Sequence, residues 1–124
     1  MTSEQQLIEA TIYDYLHGIR DTDPDRVAAT FHPDAAMSVD RGGAYRVIPG
    51  IGAVIANYMR SVPPTLETSP NYEAEIVCLH HRGTAAMVAV EERQLEGKDH
   101  ITYFILHKID GQWRIAHKGT WAPV

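Results

Sequence analysis

Histidine, tyrosine and one carboxylate carry most of the chemistry this sequence could do. Seven histidines stand among 124 residues, so metal binding is the first thing to test. His80 and His81 are adjacent, and neighbours in an extended segment point to opposite faces. Only one of them can enter a given site. No HxH, HExxH or Cys/His spacing occurs, so the pattern predicts no metal and no cofactor. The glycines of Gly50-Ile51-Gly52 lack the further glycine and the Lys-Ser/Thr of a nucleotide loop.

His107 and His117 are better placed for acid–base work. Counted alternately, Tyr103, Ile105 and His107 share one strand face, and Trp113, Ile115 and His117 share another. If Trp113 and Ile115 face the helices, so does His117. An imidazole in an apolar cavity can act as a base or as a hydrogen-bond partner. It can equally be a neutral core histidine bonded to a backbone or tyrosine oxygen. A one-residue bulge would exchange His107 and His117 for Lys108 and Lys118. Without one, Lys118 lies on the outer face with Arg114, in cross-strand ion pairs.

Asp40 ends an extended segment just before Arg41-Gly42-Gly43. It reads either as a catalytic base at a pocket mouth or as a solvated turn residue. Tyr15 and Tyr58 fall on apolar helical stripes, and Trp121 lies near the chain end. Aromatic side chains with a polar tip suit pocket walls. Cys78, the single cysteine, sits in an apolar segment and reads as a buried, inert thiol.

The elements that must position these groups are legible from periodicity. Leu7, Ile8, Ile12, Tyr15, Leu16 and Ile19 recur at helical spacing, with Ser3 and Gln6 as a capping box, so a helix is predicted over 4–20. Asp23-Pro24 opens a second helix that buries Val27, Ala28 and Phe31 and stops at His32-Pro33. Strands follow over 35–40 and 44–48. A third helical stripe runs from Ile51 to Val62 and ends at Pro63-Pro64. Four long extended segments, 72–81, 85–95, 100–109 and 113–121, are separated by hairpin turns. The last four strands carry apolar residues on both faces, which implies that both faces are covered. Three helices can cover only one of them, so a homodimer through the sheet is expected.

This order of elements resembles the nuclear transport factor 2-like superfamily, which includes SnoaL-like cyclases and ketosteroid isomerases. The likeness is carried by YLHGIRDTDPDRVAATFHPDA (15–35), IGAVIANYM (51–59) and DGQWRIAHKGTW (110–121). It is nearest the lumazine-binding family of small bacterial proteins. The resemblance implies a single α+β domain over 1–124: a cone of about six curved strands, mixed or antiparallel, with three helices on the concave face. Matched on Asp34-Ala35, the tyrosine of the isomerases falls on Tyr15 and their base on Val39, one residue before Asp40. Matched on Asp110-Gly111, their second oxyanion donor falls on Tyr103.

Composition narrows the functions. A net charge of −5 with scattered Lys and Arg argues against nucleic acid. The start has no signal-peptide pattern and no apolar run is long enough for a membrane span, so a cytoplasmic protein is expected. The residues point first to a pocket for a small hydrophobic or aromatic ligand, lined by Tyr15, Tyr58, Tyr103, His107, His117 and Trp121. The alternative is a cofactor-free isomerase, cyclase or dehydratase with His117 or Asp40 as base and Tyr15 or Tyr103 as oxyanion donor. A third reading is a pocketless dimeric interaction domain.

Overall fold

The structure, a computed structural model, describes residues 2–121. Helix α1, Glu4–Arg20, starts at the capping box: Gln6 N donates to Ser3 Oγ at 3.1 Å and Ser3 N donates to Gln6 Oε1 at 2.9 Å. Its buried stripe is Ile8, Ile12, Tyr15 and Leu16. Helix α2, Pro24–Ala29, is capped by Asp23, whose carboxylate accepts from Arg26 N. Gly18 lets the two helices touch, since a Cβ there would stand 2.7 Å from Val27 Cγ2.

Strand β1 runs Phe31–Arg41, β2 Ala44–Pro49 and helix α3 Ile51–Ser61. The strand starts earlier than the His32-Pro33 signal suggested. Phe31 is buried as the first residue of β1, not as the last of α2. Pro33 is accommodated because residues 32–35 bulge out of the pairing with the neighbouring strand. After Pro63-Pro64 ends α3, a one-turn helix α4, Thr65–Thr68, makes a fourth helix where three were expected.

Strands β3 (Glu73–Arg82), β4 (Ala85–Leu95), β5 (Lys98–Ile109) and β6 (Gln112–Trp121) form a meander. The six-stranded sheet has the order β2-β1-β6-β5-β4-β3, antiparallel except for the parallel β1–β6 pair. The fold is the expected α+β arrangement of a curved mixed sheet with helices over one face.

Two bulges decide which side chains face the helices. In β3, Ile76 pairs with Val90 and Cys78 with Ala89, leaving Val77 extra. Ile76 and Leu79 therefore both pack on the core although three residues apart. In β6, Ile115 pairs with Leu106 and His117 with Ile105, leaving Ala116 extra. An extra residue reverses the alternation beyond it. Trp113 and Ile115 are buried on the concave side, and so is Lys118, while His117 turns outward.

The convex face carries Val77, Met87, Tyr103 and Ile105, each more than 40% exposed in the single chain. Cys78 is exposed there rather than buried, because the β3 bulge brings it onto this face.

Candidate functional site

A cavity of about 490 Å³ lies between the concave face of the sheet and helices α1, α3 and α4. Its wall is largely aliphatic: Ile19 from α1, Met37 and Ile48 from β1 and β2, and Ile51, Ile55 and Met59 from α3. Exposed Arg41, Tyr58 and Glu96 stand at its rim. Tyr58 on α3 reaches across to the β4–β5 turn, donating to Glu96 Oε1 at 3.2 Å. The charge of Glu96, with some burial, raises the Tyr58 pKa.

The deep end is different. Along β4 the inward positions read Val88, Val90, Glu92; along β5 they read Leu106, Phe104, Thr102, His100; along β6, past the bulge, Lys118 and Thr120. Each strand thus changes from apolar to polar toward one end. Register brings the polar ends together: Glu92 is opposite His100, and Thr102 is opposite Thr120. Tyr15 closes the same space from α1.

Glu92 is buried and has a donor on each oxygen. Tyr72 Oη donates to Oε2 at 2.7 Å, and Thr102 Oγ1 to Oε1 at 3.4 Å. Thr102 Oγ1 also lies 3.3 Å from Thr120 Oγ1. Burial, and then the Glu92 charge, push the Tyr72 hydroxyl far above its usual range, so it remains a proton donor. Burial raises the Tyr15 pKa as well, against the opposing pull of Lys118.

Lys118 is 9% exposed and lines the cavity, with Nζ 5.4 Å from the centroid of the Tyr15 ring. Burial works against its ammonium, while the Tyr15 oxygen and the Glu92 charge work for it. The balance holds Lys118 above the ordinary lysine value, so it is charged at neutral pH. It is in no ion pair among the described residues. His100 Nδ1, at the same end, is buried without a hydrogen-bond partner.

The arrangement can therefore take an apolar body along its walls and a polar or charged end against Lys118, Tyr15 and the threonines. Among the described residues no three His, Cys, Asp or Glu side chains converge as metal ligands. No helix among them is long and apolar enough to cross a membrane.

Of the residues singled out from sequence, Tyr15 and Tyr58 border the cavity, one at its deep end and one at its rim. The others lie elsewhere. His117 was placed inward with Ile115, but the Ala116 bulge turns it to the convex face, where Nε2 lies 2.9 Å from Ser38 Oγ. Tyr103 and His107 share the exposed phase of β5, opposite to buried Thr102, Phe104 and Leu106. Asp40 is exposed and paired with Tyr45 across the β1–β2 hairpin, and the neighbouring Arg41 reaches the cavity instead. Trp121 is 59% exposed and outside the cavity wall.

Of the deep-end residues, Glu92, His100, Thr102 and Thr120 were not singled out, and Lys118 was named only as what a bulge would bring inward. Glu92 left a trace, since it continues the inward phase of Val88 and Val90. Nothing in Ile115-Ala116-His117 marks the bulge, so strict alternation put Lys118 on the outer face.

Three solved structures show how widely this fold is shared. An NTF2-like protein of unknown function from Shewanella baltica OS155 is 22% identical, with a TM-score of 0.84 over 98% of this chain and 94% of its own. One of the same description from Methylobacillus flagellatus KT is 21% identical, also with a TM-score of 0.84, over 98% and 93%. A ketosteroid isomerase-like protein from Erwinia carotovora atroseptica SCRI1043 is 24% identical, with a TM-score of 0.70 over 100% and 99%. At these identities the likeness is one of fold. No curated protein matches the chain. Residues 3–121 match the family described as "Putative lumazine-binding", so nearly the whole chain, from the capping box of α1 to the end of β6, belongs to that family.

Proposed function

We propose that this protein binds a small, mostly apolar molecule in the cavity between α1, α3 and the sheet, oriented by one polar end. One observation carries the reading: an aliphatic-walled space of about 490 Å³ ends on a buried lysine that is in no ion pair among the described residues. A few polar groups placed in an apolar cleft are what orient a bound small molecule. A core built only for stability has no use for that charge, since apolar packing of similar volume is as stable or more so. Lumazine, named in the family's description, belongs among the compounds to be tried. The exposed Val77, Met87, Tyr103 and Ile105 support a homodimer through the convex face.

The test is a thermal-shift screen against aromatic heterocycles, sterols and polyketides. A ligand at a hundredfold excess over its Kd stabilises by about 2.7 kcal/mol. The shift should shrink in Ile55→Trp, which intrudes on the cavity. No shift across the library would favour the dimeric interaction module.

A second reading rests on Glu92 and Lys118 bordering one space. A carboxylate beside an ammonium and a phenol is the pairing enolisation needs: Glu92 as base, Lys118 and Tyr15 as partners of the developing oxyanion. Exchange of α-protons of a bound cyclic ketone for deuterium, lost in Glu92→Gln, would distinguish an enzyme from a binder.

A further inference from the structure

We infer that the ligand is an organic acid, its negatively charged oxygen held by Lys118 at the deep end of the cavity; the inference rests on the pocket reading above.

An ammonium has three N–H donors. The polar neighbour close to Lys118 is the Tyr15 oxygen, which can accept one of them. Nζ lies over the Tyr15 ring, 5.4 Å from its centroid, and takes part in no ion pair among the described residues. A side chain more than nine-tenths buried therefore presents N–H donors to the cavity.

Glu92 is the one group there that opposes an anion, and the geometry blunts it. Both of its oxygens accept hydroxyl protons, from Tyr72 and Thr102. These hydroxyls stabilise its charge, and Glu92 forms no ion pair with Lys118. The two sides of the deep end are thus unequal: the carboxylate is satisfied by protein donors and the ammonium is not. An acceptor that carries charge is the complement of the second. The rest of the wall is aliphatic, so charge is wanted at one end only, and the body of the acid must be apolar. A cation fits poorly, because the acceptor it needs is already engaged.

The experiment is calorimetric titration of the full chain with matched pairs: 2-naphthoate against 2-naphthamide, and a steroid carboxylate against its primary amide. Each pair shares a body and differs in charge. A hydrogen bond to a charged group is stronger than a neutral one by about a factor of ten or more in affinity, so the acids should bind at least about tenfold tighter than the amides. Lys118→Met should bring acid and amide within about twofold. Glu92→Gln, which removes the opposing charge, should widen the preference for the acid over its amide. The comparison within the wild-type protein needs no variant to fold. Amides that bind as well as the acids, or an acid preference that survives Lys118→Met, would overturn the inference and leave the pocket reading standing. Silence from both members of both pairs would overturn the inference and weigh against the pocket as well.

Discussion

The Lys118 ammonium stands 5.4 Å from the centre of the Tyr15 ring, and both residues are buried. The Tyr15 ring also meets Phe31 and Phe104 edge-on, with centroids 5.7 and 5.2 Å away. One ring thus ties α1 to the core and flanks the charge at the cavity's deep end. Removing the hydroxyl and removing the ring should have separate costs. Tyr15→Phe should cost about 1 kcal/mol, the worth of one hydrogen-bonding group. Tyr15→Ala should cost about 3–5 kcal/mol through the cavity it leaves. Urea denaturation of the two variants checks this ratio.

Lys118→Met should leave stability within about 2 kcal/mol of wild type, because the cost of burying the charge and the attraction of its neighbours nearly offset. Ligand affinity should fall at least about tenfold in the same variant. Chemical denaturation beside calorimetry separates the two effects. A large loss of stability would make Lys118 a structural residue.

Tyr72 and Glu92 form a buried hydrogen bond of 2.7 Å to a charged group. Tyr72→Phe should cost about 2 kcal/mol, since the carboxylate loses a donor it cannot replace from water. In Tyr72→Phe with Glu92→Leu the unsatisfied group is gone, and the pair of changes should cost less than the sum of the singles. A double-mutant cycle measures the coupling.

At the opposite end of the cavity's floor strands, Lys108 Nζ and Trp113 Nε1 both donate to Glu4, each at 2.7 Å. The hydrogen bonds from Lys108 and then Trp113 hold the Glu4 carboxyl below its ordinary value of 4.5. A lowered value means that the stabilisation is fully present above the ordinary pKa and is lost as pH falls through the lowered one. Glu4→Gln should therefore flatten the acid limb of the stability curve below about pH 4.5 without changing its shape near neutrality. Thermal melts across acid pH read this directly.

The convex face offers a further test. Ile105 is 42% exposed at the centre of the sheet, beside Met87 and His117. If two copies pair there, Ile105→Glu should place two like charges in a buried interface and give monomers with an intact fold. Analytical ultracentrifugation with circular dichroism decides it. A wild-type monomer would remove the dimer from the account.

The fold was legible because its signals are local. The capping box at Ser3, Pro24 at the start of α2, the Asp110-Gly111 turn and the stripe from Ile51 to Met59 each act within a few residues. The order of elements follows from them. The site was not legible, because its faces depend on Val77 and Ala116, two bulges with no marker of their own. Alternation from Trp113 carries correctly to Ile115 and then fails by one residue, exchanging His117 for Lys118. The tyrosines on helices were located better than the residues on strands, since a helical stripe tolerates no such slip. Phe31 misled in another way: it follows Val27 at helical spacing, yet the backbone has already turned into β1.

The most direct measurement is NMR of the lysine side chains, since Lys98, Lys108 and Lys118 are the lysines of this chain. In a pH titration followed at 13Cε, Lys118 should ionise above the ordinary value of 10.5, and its resonance should be the one that moves when an acidic ligand is added. A Lys118 signal that titrates at 10.5 as a free, solvated side chain does, and that stays still as ligand saturates the protein, would contradict a charged anchor at the end of the cavity.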